Sequence, residues 1–281
     1  MIISKTISEI RSELEKNKSQ KIAFVPTMGS LHQGHLELVK CAKEYADIVV
    51  VSVFVNKAQF NNPDDYENYP RNLDQDSKLL RNAGATHLFA PLDDEMLLDD
   101  SSPRISSSEL VNCLCGTTRP GHFEGVYFIL TRFFNIINPD FAIFGKKDFQ
   151  QYLVVKALVK DQNYKTKIIG LDPVREVSGL VMSSRNERLD DEQKELAAEI
   201  INILNEIKQD CLENPGDVSQ ILQKYKDKMT DMGFGKIDYL EVRSEADLSL
   251  VNSLKTTSGA SRIFIAVYIG QIRLIDNIAI D

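Results

Sequence analysis

The chain has 281 residues, enough for one large domain or two with a substantial buried core. Its 43% apolar and 26% charged content is ordinary for a globular protein, and no run approaches the ~20 apolar residues of a membrane span. A formal net charge of −8 argues against sequence-independent nucleic-acid binding, which needs a basic face, but leaves room for a small cationic pocket that takes an anionic ligand.

In chain order, Ile7 to Leu14 reads as a helix, and Ile22-Ala23-Phe24-Val25 as a short buried strand. Pro26 and Gly29 then mark a tight turn, after which Leu36, Val39, Ala42 and Ala46 recur at helical spacing. Ile48 to Val55 is apolar and β-branched, as a strand buried on both faces of a parallel sheet requires. His87 to Pro91 and Phe141 to Phe144 are further strand candidates, with helical patterns at Val126–Ile137 and Tyr152–Lys160. Strands alternating with helices imply right-handed βαβ units and a doubly wound, Rossmann-like parallel α/β sheet. Beyond about Val174 the pattern changes. Helices at Asp190–Gln209 and Val218–Met232 precede strands at Ile237–Val242, Arg262–Ile269 and Gln271–Asp276. Alternation in those strands suggests a smaller α+β domain whose sheet has one open face. Asn214-Pro215-Gly216 reads as a loop between its helices. The expected division is therefore residues 1–173 and residues 174–281, with the second as a lid.

Ligands of doubly wound sheets bind beyond the carboxyl ends of the strands, so the loops there are the first place to look. The turn Met28-Gly29-Ser30-Leu31-His32-Gln33-Gly34-His35 opens a helix, where unpaired N–H groups and the dipole's positive end favour an anion. His32 and His35 share one face of that first turn, and they are two of the chain's 4 histidines. Three readings apply: a zinc site, for which a third ligand is missing; a solvated helix start with incidental histidines; or imidazoles bonded to nucleotide phosphates. After Val55 come Asn56 and Gln59. After Phe144 come Gly145, Lys146, Lys147, Asp148 and Gln151, and between these lies Gly121-His122 at the start of a long apolar helix. Farther on, Val174 and Met182-Ser183-Ser184-Arg185-Asn186 offer hydroxyls and a guanidinium suited to phosphates. Each loop alone has a structural explanation, such as Asp148 or Ser183 acting as a helix cap. The 4 cysteines form no C-x-x-C pair, and Cys113-x-Cys115 is too tight for zinc, so free thiols in a reducing cytosol are expected.

The His32-x-Gly34-His35 pattern resembles that of the nucleotidyl-transferring α/β superfamily. The whole set of motifs is more specific and resembles the pantothenate synthetase (pantoate–β-alanine ligase) family. It comprises Pro26-Thr27-Met28-Gly29 with His32-Gln33-Gly34-His35, Val53-Phe54-Val55-Asn56 with Gln59-Phe60, and Tyr69-Pro70-Arg71. Gly121-His122-Phe123 with Gly125-Val126, Phe144-Gly145 with Lys147-Asp148 and Gln150-Gln151, and Met182 to Asn186 complete it. Three positions depart from the family's usual residues: Lys57 stands for proline, Lys146 for glutamate and Ser178 for aspartate.

The resemblance implies that ATP activates pantoate as a bound pantoyl-adenylate, which β-alanine then attacks to give pantothenate and AMP. His35 and His32 would contact the phosphates, with Lys147 and Arg185 balancing their charge and Mg²⁺ arriving with ATP. The nucleotide would also meet Met28, Gly29, Ser30, Leu31, Gln33, Gly34, Gly145, Lys146, Asp148, Val174, Met182, Ser183 and Ser184. Gln59 and Gln151, with Asn56 and His122, would take pantoate. No resident metal site is expected, although Asp74 and Asp76 are weak candidates for touching Mg²⁺. A cytoplasmic homodimer with no nucleic-acid or membrane partner is implied. Two rivals stay open: another H-x-G-H nucleotidyltransferase acting on a phosphate acceptor, and a non-catalytic nucleotide-binding regulator.

Overall fold

Strand β3 (Ile48–Val53) is buried along almost its whole length, because side chains of both parities meet apolar layers. The computed structural model describes residues 1–61, 63–96 and 108–280. It divides into two compact units. One holds Met1–Val111, Cys115–Lys146 and Gln151–Asp172; the other holds Asn112–Leu114, Lys147–Gln150 and Pro173–Asp281.

In the first unit β3 belongs to a parallel sheet of six strands. With β1 (Ile2–Ser4), β2 (Ile22–Thr27), β4 (His87–Phe89), β5 (Phe141–Gly145) and β6 (Lys167–Leu171), it forms the order β1-β4-β3-β2-β5-β6. The period-two alternation of β2 divides its side chains between two layers. Ala23 and Val25 join Val39, Ala42 and Leu80 from the Gln33–Tyr45 and Leu73–Ala83 helices. Phe24, on the other face, meets Phe133 and Phe134 of the His122–Ile137 helix at ring separations of 5.4 and 6.2 Å. Helices on both faces make the sheet doubly wound, as the apolar runs imply. From β2 the chain builds outward through β3 and β4 on one side and β5 and β6 on the other. The strand order therefore reverses between β2 and β5, whose carboxyl ends are the expected ligand crevice. β1, β6 and the Leu73–Ala83 helix have no counterpart in the sequence reading. β1 is only 3 residues long, and β6 mixes lysine and glycine into its apolar residues.

The second unit is an antiparallel sheet, β7 (Ile237–Ser244), β8 (Ser261–Ile269) and β9 (Ile272–Ile280), in that order. The Asp191–Glu213 and Val218–Asp231 helices cover one face, packing Ile203, Leu204, Ile207 and Tyr225 against Ile263, Ile265 and Val267. The expectation of an open second face is corrected by the central strand. β8 is buried at every position but Tyr268. Phe264 on its other side meets the Phe149 ring at 5.9 Å, and the Arg262 guanidinium lies 4.3 Å from that ring's centroid. The face is closed by an aromatic ring and a set of buried polar groups, which sequence alternation reads as solvent-facing.

Candidate active site

Thr27 ends β2 by donating to Ser52 O at 2.6 Å, and its hydroxyl also takes the Gly29 amide at 3.3 Å. The chain then turns through two consecutive left-handed residues, Gly29 (φ 83°) and Ser30 (φ 52°). Only glycine suits the first position, since a Cβ there would also lie 2.9 Å from an Asp76 carboxylate oxygen. Asp76 is 2% exposed, and its two oxygens accept the Ser30 and Leu31 amides at 3.1 and 2.9 Å. This corrects both the expectation of unpaired N–H groups across the turn and the view of Asp76 as a metal candidate. The carboxylate faces protein amides and clamps the loop.

The two histidines complete the junction. His32 is the N-cap of the Gln33–Tyr45 helix: its Nδ1 accepts the Gly34 amide at 3.1 Å, while the His35 Nδ1 accepts the His32 amide at 3.3 Å. The rings lie 4.1 Å apart. A ring nitrogen that accepts from a backbone N–H carries no proton, so each neutral imidazole holds its hydrogen on Nε2. The reciprocal cap therefore holds both rings and sets the hydrogen of each neutral ring on Nε2. Among the described residues, no group of three or more His, Cys, Asp or Glu could hold a metal ion.

After β3, Asn56 and Gln59 bound a short helical turn. Asn56 is 1% exposed; its amide donates to Gly125 O at 2.9 Å and its oxygen accepts the Ala58 amide at 3.3 Å. His122 Nδ1 donates to Gln59 O at 2.9 Å and its Nε2 accepts from Arg119 at 3.2 Å. Arg119 itself reaches the same carbonyl at 3.0 Å. Asn56 and His122, the residues expected beside Gln59 in taking pantoate, hold the backbone around Gln59 through both polar ends of each side chain. Arg119 is a partner in this clasp that the sequence reading left without a role. Gly125 allows the approach: a Cβ there would stand 2.6 Å from Ala58 O.

Beyond β5, Gly145 leads to Lys146, whose ammonium pairs with Asp172 at 2.9 Å. Gln151 is half-buried in the first turns of the Phe149–Asp161 helix. In the second unit, Lys147 Nζ is a loose 3.9 Å from Asp148, and its carbonyl accepts from Asn277 at 2.8 Å. Val174 O accepts the Met182 amide at 2.9 Å across a hairpin turned at Gly179 (φ 89°). Ser178, a departure from the family pattern, takes the Leu180 amide at 3.4 Å within that turn. Ser183 caps the next short turn by accepting the Arg185 amide at 3.3 Å, which leaves Ser184 and Arg185 half-buried at its start.

A doubly wound parallel sheet with a histidine-capped helix at its switch point defines an α/β protein built to hold a nucleotide phosphate. The chain belongs to the pantoate–β-alanine ligase family, whose model matches residues 2–279. It is 41% identical over 283 residues to a pantothenate synthetase of Marinomonas sp. (strain MWYL1), covering 98% of each chain. It is also similar to the crystal structure of pantothenate synthetase from Thermus thermophilus (35% identity, TM-score 0.89, 99% of both chains). A Francisella tularensis pantoate–β-alanine ligase, described as complexed with β-γ ATP and β-alanine, matches at 39% identity and TM-score 0.82, with 99% of this chain and 97% of that one covered.

Proposed function

We propose that this chain uses ATP to condense pantoate with β-alanine, giving pantothenate, AMP and pyrophosphate. The observation that carries the reading is the His32–His35 pair, held as two Nε2–H donors at the carboxyl end of β2 in a chain of this ligase family. A carboxylate is a poor acylating agent because oxide would have to leave. In the first step a pantoate carboxylate oxygen attacks the α-phosphorus, and the bond to the bridging oxygen breaks to release pyrophosphate. In the second step the β-alanine amine attacks the acyl-adenylate carbonyl, AMP leaves with the electron pair, and the amine's surplus proton passes to solvent. No protein nucleophile enters either step, so the work is positioning and charge neutralisation.

In this reading His35, seconded by His32, donates to phosphate oxygens as charge moves onto pyrophosphate. Lys147 and Arg185 balance the phosphates, Ser183 and Ser184 add hydroxyls, and the Met28–Gly34 turn supplies a fixed wall. Gly145, Asp148 and Val174 form the adenosine pocket. Gln59 and Gln151 grip pantoate's hydroxyl and carboxylate groups without adding charge. Mg²⁺ enters as part of the MgATP substrate. Residues 174–281 act as a lid that keeps water from the adenylate, and the enzyme works as a cytoplasmic homodimer.

Pyrophosphate release from MgATP should depend on pantoate, and His35→Ala should slow it on the order of 10²-fold or more, as for loss of one transition-state donor. Binding of ATP with no turnover under any acid would support a nucleotide-binding regulator. An unimpaired His35→Ala variant would remove the phosphate role.

A further inference from the structure

Lys147 follows β5 in the chain, yet it is fastened by strand β9. Asn277 Nδ2 donates to Lys147 O at 2.8 Å, and Asn277 Oδ1 accepts from Arg262 at 2.6 Å. A guanidinium only donates, so Arg262 fixes which end of the amide faces it and thereby aims the NH₂ group at Lys147. Arg262 is itself held: it is 7% exposed, donates through Nε to Glu245 at 2.9 Å and lies 4.3 Å from the centroid of the Phe149 ring. The preceding residue on β9, Asp276, accepts the Asn277 amide at 2.8 Å and takes Arg175 in two bonds of 2.6 and 2.9 Å. Arg175 in turn pairs with Val181, on the arm of the hairpin that leads into Ser183 and Arg185.

Buried polar groups in a sheet cost desolvation that an apolar pair would not. Here Asn277 and Arg262, at 3% and 7% exposure, end on the backbone of one loop residue. We propose that Asn277 is a positioning residue for Lys147, with Arg262 orienting its amide. The proposal rests on the reading of Lys147 as a phosphate partner. Lysine's four-carbon stem is flexible, so pinning the carbonyl at its base limits where the ammonium can reach. A displacement of about 1 Å in a charge-bearing group is enough to cost on the order of 10²-fold in rate.

Asn277→Asp keeps the side chain's shape and its bond to Arg262, but sets a carboxylate oxygen against the Lys147 carbonyl. Pantoate-dependent pyrophosphate release should slow about 10- to 100-fold at saturating substrates, with the KM for pantoate unchanged. Because the effect travels through Lys147, the Lys147→Ala/Asn277→Asp double variant should be no slower than Lys147→Ala alone. Asn277→Ala carries the same cycle should the aspartate variant not fold. A wild-type rate in the folded Asn277 variant, or multiplying effects in the double variant, would overturn the proposal. If Lys147→Ala itself releases pyrophosphate at the wild-type rate, the phosphate role of Lys147 fails and takes this inference with it. A slow Lys147→Ala beside an unimpaired Asn277 variant sinks the inference alone.

Discussion

Asp76 accepts two amides that lie 46 and 45 residues earlier, from a loop that turns through the left-handed Gly29 and Ser30. The variant Asp76→Asn would offer one oxygen to that pair and turn an NH₂ group toward the second donor. One buried N–H then loses its partner, at about 1–3 kcal/mol. The variant should unfold at lower temperature, and its pyrophosphate release should slow, because the loop carrying His32 relaxes. Unchanged melting and unchanged rate together would show that the loop holds itself. At this scale the sequence was legible where chemistry is local: the His32–His35 spacing on a helix start predicts one shared face, and the reciprocal cap between them is that face realised. It misjudged Asp76, a weak candidate for touching Mg²⁺ by sequence, because a carboxylate that accepts amides 46 and 45 residues away leaves no local pattern. Arg175 and Asp276 likewise meet across 101 residues and leave no pattern in either segment.

Among elements, β3 was legible because burial on both faces writes itself as an apolar run, whereas β8 shows how alternation misleads. Arg262 occupies a position that reads as exposed and is buried by its partners. The turn at Lys57–Gln59 carries a departure with a measurable consequence. Asn56 before it is extended (φ −80°, ψ 109°), the conformation a residue preceding proline adopts, and Lys57 is the first residue of the turn, where proline is favoured. Lys57→Pro should therefore stabilise the fold by ~0.4–1 kcal/mol through the unfolded chain, visible as a raised melting temperature. A fall would mean that the Lys57 amide or its contact with the Tyr66 ring matters more. Strand β4 makes a prediction in pH. Burial holds the His87 imidazole below its ordinary value of 6.5, with Glu13 opposing and the N-terminal ammonium assisting. Its Nδ1 meets Thr86 Oγ1 at 2.9 Å, while Nε2 is buried without a hydrogen-bond partner among the described residues. Below pH 6.5 the unfolded chain takes up a proton that folded His87 resists, so stability is full above that pH and falls as the pH drops toward the depressed value. His87→Phe should flatten the fall in melting temperature between about pH 7.5 and 5; parallel curves would assign the acid limb to other groups.

For the molecule as a whole, the proposed chemistry requires that the activated acid be kept, since no protein side chain takes it over. Pantoate and MgATP without β-alanine should then give a burst of about one pyrophosphate per site, followed by near silence. The adenylate is gripped at both ends in this scheme, its AMP half by Gly145, Lys147, Asp148 and the Ser183–Arg185 turn, its pantoyl half by Gln59 and Gln151. Each anchor raises the effective concentration of the other, so release is slow. The clasp of Asn56, Arg119 and His122 on the turn around Gln59 is the part of this scheme that geometry makes rigid, since Gln59 O takes two donors at 2.9 and 3.0 Å. Water must also be kept from the mixed anhydride, or hydrolysis would turn the burst into steady ATP consumption. β-Alanine should convert the burst into continuous turnover, with AMP and pantothenate appearing in step. Full-rate pyrophosphate release without the amine would refute a held intermediate. Silence until the amine arrives would instead mean that all three substrates must be bound before the first bond breaks.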